Sequence, residues 1–203
     1  MSNTPQSRFL IIGPPGAGKG TQASRIAERY SVPWISTGDI FRANIKAGTQ
    51  LGQRVSQLIE AGKLVPDDLT NEIVADRLQR DDVENGFLLD GYPRTVDQVR
   101  ALDGVLQADA RMVDVVILLE VDTDEVVARL LNRAKLEGRV DDTEDVIRHR
   151  QEVYADQTKP LIDLYDTRGA LVRVNGMGDV DEVTERVFEA IDAKVAENDE
   201  RLR

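Results

Sequence analysis

Residues 13–22, GPPGAGKGTQ, have the composition and spacing of a phosphate-binding loop. Glycine permits backbone angles and close approaches that side chains forbid, so successive N–H groups in such a loop can point at phosphate oxygens. Lys19 adds a positive charge, and the loop lies between the apolar run 9–12 and a helical pattern, which places the phosphates at a helix N-terminus. Gly20 stands where the general pattern has Ser or Thr, and Thr21 comes one residue later, so a direct hydroxyl bond to Mg²⁺ is not predicted. The stretch indicates nucleotide binding.

Basic residues recur at predicted strand ends and around two polar segments, residues 37–65 and 134–138, although the chain as a whole is acidic. Lys and Arg number 26 against 37 Asp and Glu, and the net charge of -11 argues against a general affinity for nucleic acid or anionic membranes. Phosphoryl transfer gathers negative charge in a small volume, and guanidinium suits it because its planar fork binds phosphate oxygens bidentately and stays ionised. Each arginine alone is equally consistent with a solvated helix face. Together they predict a phosphoryl-transfer site formed by Lys19, Arg42, Arg94, Arg129, Arg133, Arg139 and Arg150.

Short apolar runs rich in β-branched residues alternate with longer amphipathic segments, which predicts βαβ units. Runs with few polar positions favour a doubly wound, five-stranded parallel sheet covered on both faces, in which ligands gather beyond the carboxyl ends of the strands. Polar motifs follow four of these runs: GPPG, STGD at 36–39, DGYPR at 90–94 and NGMG at 175–178. The predicted strands are 9–12, 32–35, 87–89, 113–121 and 171–174.

Two polar segments look like excursions from this sheet. Residues 37–65 contain the helical patterns 40–47 and 51–61 between glycines and predict a mobile helical flap, and residues 134–138, after a predicted helix 124–132, predict a small lid. A long helical segment runs from Glu144 toward Tyr165, with Pro160 interrupting or kinking it. A last helix follows Asp179, and the charged tail 197–203 is expected to fray.

Length and composition exclude several classes of protein and site. The 203 residues suit one domain, and the absence of cysteine excludes disulfides, thiolate zinc sites and cysteine nucleophiles. No apolar run reaches membrane-spanning length, and residues 1–8 lack the apolar core of a signal peptide. We therefore expect a cytoplasmic domain that is a monomer and binds neither nucleic acid nor membrane.

The order of the motifs resembles that of the adenylate kinase family. GPPGAGKGTQ, STGDIFR, GKLVP, DGYPRT with Gln98, ARLLNR and GRVDD continuing to HR follow one another between about residues 8 and 187, and Gly20 after Lys19 is this family's own pattern. The resemblance is to the short-lid form, which lacks the zinc site of the long-lid form. It implies a P-loop core of residues 1–35, 66–131 and 143–203, an AMP-binding flap of 36–65 and a short lid of 132–142.

The resemblance implies roles for individual residues. Arg139 and Arg150 would clamp the phosphates between the two nucleotides, Gly178 would lie beside the adenine of ATP, and Asp90 would orient Mg²⁺ through water without a direct protein ligand. The implied ATP site is Gly16, Ala17, Gly18, Lys19, Gly20, Thr21, Arg129, Arg133 and Gly178. The implied AMP site is Thr37, Arg42, Lys63, Leu64, Val65, Gly91, Tyr92, Pro93, Arg94, Gln98, Arg139 and Arg150.

Other polar and aromatic residues receive plainer interpretations. The acceptor of such a transfer is an anionic phosphate oxygen, so no general base is required, and His149 is interpreted as structural or exposed. The acidic residues 141–142 and 144–145 are interpreted as helix capping and as anchors for the nearby arginines. Trp34, in an apolar run beside Pro33, is expected in the core.

Two other functions compete with ATP:AMP phosphoryl transfer. A UMP/CMP kinase of the same fold would share the loop, arginines and lid, but such relatives usually carry Ala at the position of Thr37, Asn at that of Thr95 and another Asn near Gln98. A P-loop GTPase switch would need an Asn-Lys-x-Asp motif, which the chain lacks. The base-pocket residues therefore favour AMP as acceptor, with ATP as donor and ADP as product.

Overall fold

The computed structural model describes residues 7–108, 111–122, 125–131 and 143–201. Five parallel strands form one sheet in the order β2-β3-β1-β4-β5, which confirms the predicted α/β architecture. Each strand matches an apolar run of the sequence, and the ends differ by a few residues. The strands are β1 (Ser7–Ile12), β2 (Trp34–Ser36), β3 (Gly86–Asp90), β4 (Val115–Glu120) and β5 (Leu171–Asn175).

Helices cover both faces of the sheet. Alternate residues of β1 belong to different cores: Leu10 and Ile12 pack in the cluster on one face, and Phe9 and Ile11 pack in the cluster on the other. The helices are α1 (Lys19–Tyr30), α2 (Thr37–Lys46), α3 (Gln50–Glu60), α4 (Asp67–Arg77), α5 (Val96–Gln107), α6 (125–131), α7 (Glu144–Val153), α8 (Pro160–Thr167) and α9 (Val180–Arg201). Among the described helices, none is both long and apolar enough to cross a membrane.

The predicted flap forms two helices, α2 and α3, outside the sheet. Phe41, Val55 and Val65 make a small separate core between them. The helices approach so closely that a Cβ atom on Gly52 would lie 2.2 Å from the carbonyl oxygen of Asn44. The flap is thus a packed unit that follows strand β2 and is followed by helix α4.

The C-terminal helices agree with the prediction of an interruption at Pro160 and differ from the prediction in the tail. The segment from Glu144 is divided by a π-helical stretch, Tyr154–Thr158, and α8 begins at Pro160, whose missing N–H is tolerated at the first turn of a helix. The expected fraying from Glu197 is wrong for the described part of the tail, because α9 continues to Arg201. Glu197 pairs there with Lys194 and Arg201.

Candidate active site

The loop between β1 and α1 has the geometry that its glycines predict. Gly16 and Gly18 have φ values of 86° and 87°, in the left-handed region that favours glycine. A Cβ on Gly16 would lie 2.9 Å from side-chain atoms of both Val126 and Leu130, so the loop also packs directly against α6. The loop ends at Gly18, directly before α1 begins at Lys19. Backbone N–H groups at such a helix N-terminus can bind the negative charge of a phosphate.

Lys19 and Asp90 face each other across the base of the cleft. The Nζ atom of Lys19 donates to the carbonyl oxygens of Gly13 and Pro14 at 2.8 and 2.9 Å. Burial raises the pKa of the Asp90 carboxyl, and the positive charges of Lys19 and Arg94 oppose that rise. Asp90 ends β3 next to the first strand, so the two motifs meet because their strands are neighbours.

A wide cleft of about 880 Å³ extends from this loop. Arg129 of α6 lines it, with its guanidinium held by Glu125 and directed toward the Gly176 carbonyl at 3.5 Å. The loop 175–178 forms another part of the wall. The cleft brings together the predicted donor residues Gly16, Ala17, Gly18, Lys19, Gly20, Thr21, Arg129 and Gly178.

A second, smaller pocket lies between the flap and the carboxyl end of β3. Thr37 donates from its hydroxyl to the Gly91 carbonyl at 2.9 Å, and Arg94 donates from Nε to the same oxygen at 2.8 Å. These bonds join the start of the flap to the loop after β3. The pocket is lined by the predicted acceptor residues Thr37, Arg42, Lys63, Leu64, Val65, Gly91, Arg94, Gln98 and Arg150.

Three arginines line both the cleft and the pocket: Arg42, Arg94 and Arg150. Burial lowers the pKa of Arg94, the negative charge of Asp90 opposes this, and the positive charge of Arg42 adds to it. Arg150 comes from α7, which packs against Gly62 of the flap and donates from Gln151 to the Pro15 carbonyl at 3.1 Å. The helix that carries Arg150 therefore contacts both the flap and the phosphate loop.

Gln98 lies at the buried side of the pocket, with 2% of its surface exposed. Its Oε1 accepts from the backbone N–H of Arg94 at 2.7 Å, and its Nε2 donates to Asp67 at 2.7 Å. Thr95 caps α5 by accepting from the Gln98 N–H and donates its own proton to the other oxygen of Asp67. The amide is thus held from both sides.

Some predicted residues lie elsewhere. Tyr92 is 3% exposed and packs in a core cluster, where its hydroxyl donates to Oδ1 of Asn71 at 2.7 Å. Its side chain therefore belongs to the core and does not line the pocket. Pro93 lines an adjoining crevice with Arg94 and Arg150. The predicted lid 132–142, with Arg133 and Arg139, lies outside the described residues.

Two residues of the site were missed or misread in the sequence. Trp34 is 38% exposed, so the expectation that it lies in the core is wrong: β2 is an edge strand, and the indole lines the cleft. Asp67 was missed because an acidic residue in the first turn of a helix is ordinarily explained by the helix dipole.

The residues around Asp90 are compatible with a metal that arrives with a nucleotide. Mg²⁺ is usually held by one or two carboxylates, waters and substrate phosphates, and Asp90 supplies such a carboxylate beside the phosphate loop. Within the described ranges, no group of three or more His, Cys, Asp or Glu could hold a metal ion. His149 is half exposed on α7, 3.6 Å from Glu152.

Comparison with known proteins agrees with the geometry. A family model described as adenylate kinase matches residues 11–170. The chain is 61% identical over 186 residues to an adenylate kinase of Kocuria rhizophila, covering 92% of this chain and 99% of that protein. It is 59% identical over 183 residues to an adenylate kinase of Leifsonia xyli subsp. xyli, covering 90% and 92% of the two chains. The chain belongs to the adenylate kinase family.

Proposed function

We propose that this chain transfers the terminal phosphoryl group of Mg-ATP to AMP, reversibly, and produces two molecules of ADP. The observation that carries this proposal is the position of Arg42, Arg94 and Arg150, which line both the cleft at the phosphate loop and the pocket under the flap. Cations shared by two adjacent nucleotide sites lie where the phosphates of donor and acceptor would meet.

Different residues bind the donor, the acceptor and the transferring phosphoryl group. Backbone N–H groups of the phosphate loop bind the donor phosphates, and Lys19 leaves its resting contacts on Gly13 and Pro14 to contact the transferring group. Arg94 and Arg150 hold the acceptor phosphate in line with it and offset the charge that moves between them. Mg²⁺, when bound with ATP, supplies further positive charge, and Asp90 would orient its waters.

No proton-abstracting residue is required in this scheme. The attacking group is a phosphate oxygen of AMP that is already anionic near neutral pH, so positioning and charge neutralisation supply the catalysis. His149 is half exposed on α7 and is given no part in the chemistry. We assign Arg129, with Arg133 and Arg139 of the lid, to the donor and bridging phosphates.

The small volume of the pocket under the flap favours a movement of the flap when AMP enters. The pocket encloses about 70 Å³, whereas ligand sites usually enclose about 300 Å³ or more. We infer that α2 and α3 swing away from α7 to admit AMP and close over it afterwards, together with the lid 132–142. Closure would exclude water that could otherwise accept the phosphoryl group.

AMP is proposed as acceptor over CMP and UMP because Gln98 can pair with the amino group and a ring nitrogen of adenine. Thr37 and Thr95 also follow the adenine pattern of the family. We further propose that the protein acts as a monomer in the cytoplasm. We also propose that it needs no nucleic acid or membrane, because a net charge of -11 opposes binding to nucleic acid and to anionic membranes.

The proposal is tested by following the label from ATP that carries a radioactive terminal phosphate. With Mg²⁺ and AMP, the label should appear in ADP, and two ADP should form for each AMP consumed. Release of the label as inorganic phosphate, at the same rate with and without AMP, would show an ATPase and contradict the proposal. A reaction with CMP or UMP but not AMP would assign the chain to the pyrimidine kinases.

A further inference from the structure

We propose that Asp67 is a positioning residue for the acceptor base: it sets the orientation of the Gln98 side-chain amide and so makes the pocket prefer a 6-amino purine to a 6-oxo purine. This inference rests on the proposed function, because it takes Gln98 as the residue that contacts the acceptor base. Asp67 itself would touch no nucleotide.

The two ends of the Gln98 amide are held by groups of fixed hydrogen-bonding character. The backbone N–H of Arg94 can only donate, and it lies 2.7 Å from Oε1. The Asp67 carboxylate can only accept, and its Oδ1 lies 2.7 Å from Nε2. Rotating the amide by half a turn would place donor against donor and acceptor against acceptor. Since Gln98 is 2% exposed, water could not repair both mismatches cheaply.

These two hydrogen bonds leave the Gln98 amide with one N–H donor and one oxygen lone pair that can bind a ligand. A side-chain amide has two N–H donors and two lone pairs on its oxygen. Asp67 uses one donor and Arg94 uses one lone pair, so one donor and one acceptor of Gln98 remain for the pocket that it lines. Adenine offers a donor amino group next to a ring nitrogen acceptor, which matches that remaining pair.

Asp67 is itself fixed by its surroundings. Its second oxygen, Oδ2, accepts from the hydroxyl of Thr95 at 2.7 Å, and that hydroxyl in turn caps α5 by accepting from the Gln98 backbone N–H at 3.1 Å. Each carboxylate oxygen therefore has its own donor. The first residue of α4 and the start of α5 are held together at the base pocket by this network.

The orientation of the Gln98 amide determines which of two purines of almost the same shape the pocket prefers. In inosine monophosphate (IMP) a carbonyl oxygen replaces the adenine amino group, and the adjacent ring nitrogen carries a proton, so donor and acceptor are exchanged. IMP would match Gln98 only after the amide rotates. Without Asp67 one of the two restraints on rotation is gone, and the preference for AMP over IMP should weaken.

The test measures kcat/KM for AMP and for IMP, with ATP as donor, in the wild type and in Asp67→Ala. We expect the ratio of the two values to fall about tenfold or more in Asp67→Ala, the scale of one hydrogen bond to a charged group. The KM for ATP should stay within about threefold of wild type, well below one such bond. Asp68→Ala is the matched control, because Asp68 is an exposed acidic residue in the same first turn of α4. It should leave the ratio unchanged.

Asp67→Asn separates the hydrogen bond from the charge. Its oxygen can still accept from Gln98 while its amide donates to the free lone pair of the Thr95 hydroxyl, so we expect the AMP:IMP ratio to stay closer to wild type than to Asp67→Ala. A wild-type ratio in Asp67→Ala would overturn the proposal, and so would equal losses in Asp67→Ala and in the control Asp68→Ala. If the wild type phosphorylates neither purine, the proposed function fails instead.

Discussion

Replacing Lys19 with Met is expected to remove most turnover while leaving the fold intact. Met keeps most of the length of the aliphatic stem and removes the ammonium group, which donates to the Gly13 and Pro14 carbonyl oxygens at 2.8 and 2.9 Å. Both contacts are partly buried, and both oxygens lie in the loop that borders the wide cleft. The change therefore acts on the charge of the loop more than on its packing.

The two expected effects differ in size. Loss of the partly solvated contacts should cost about 1 kcal/mol of unfolding free energy, which lowers the melting temperature of a protein of this size by about 2–4 °C. Loss of a cation that contacts the transferring group should lower kcat about 10²–10³-fold, or about 2.7–4 kcal/mol of barrier, by analogy with the removal of one oxyanion-hole donor. The Asp90 carboxyl also loses a positive charge that opposes the rise of its pKa.

The assay is steady-state turnover with saturating ATP and AMP, with melting temperature measured on the same samples. Lys159→Met is the matched control, because Lys159 is exposed at the π-helical segment and lies outside the cleft, and it should keep wild-type turnover. Turnover of the Lys19→Met variant within about threefold of wild type, less than 1 kcal/mol of barrier, would refute the role given to Lys19.

Three further substitutions test the flap, the absence of a base and a distant ion pair. Gly52→Ala places Cβ 2.2 Å from the Asn44 carbonyl oxygen, so it should destabilise the protein by about 1–3 kcal/mol and raise the KM for AMP more than that for ATP; an unchanged melting temperature and KM would contradict this. His149→Gln should keep turnover near wild type, and a loss of about a hundredfold with the fold unchanged would show a missing proton step. Burial raises the pKa of Asp114, against the opposing effect of Arg8, so the stability that this carboxyl contributes is lost as pH rises through its folded-state pKa. Asp114→Asn should therefore gain stability relative to wild type as pH rises from about 4 to 7, whereas a difference in melting temperature that does not vary with pH would contradict the sign.

The strands and the phosphate loop could be predicted because their signals are local. An apolar run such as 113–121 can be buried only as a central strand or a buried helix, and its β-branched residues favour the strand. The loop motif needs no distant partner to be recognised. The ends of β3 could not be placed from its own residues, since Gly86 and Asp90 join the strand by pairing with Ser7 and Ile11 of β1.

Trp34 and Asp67 show where prediction from local patterns stops. An apolar run beside Pro33 indicates a strand but not its place in the sheet, and the edge position of β2 is what exposes the indole to the cleft. Asp67 has a sufficient local explanation in the helix dipole, while its hydrogen-bond partners are 28 and 31 residues away in sequence. Contacts of this kind depend on how α4 and α5 are arranged in space.

The division of the segment after Glu144 also has a local cause that the sequence shows only in part. Pro160 predicts an interruption, because a proline inside a helix removes one hydrogen bond and crowds the carbonyl four residues earlier. The wider turns of the π-helical stretch accommodate it, with the Lys159 N–H donating to the Tyr154 carbonyl at 2.8 Å. The same stretch lets Thr158 donate to the Arg94 carbonyl at 3.0 Å, a contact that no pattern in the sequence indicates.

The central claim is that the flap pocket selects AMP as the acceptor for the phosphoryl group of the ATP held in the cleft. Its most direct test is to measure kcat/KM for AMP, CMP and UMP under the same conditions, with Mg-ATP as donor. The account predicts that AMP exceeds both pyrimidine nucleotides by a wide margin, up to about 10⁴-fold if the base pocket is rigid. Equal kcat/KM for AMP and CMP would contradict the account.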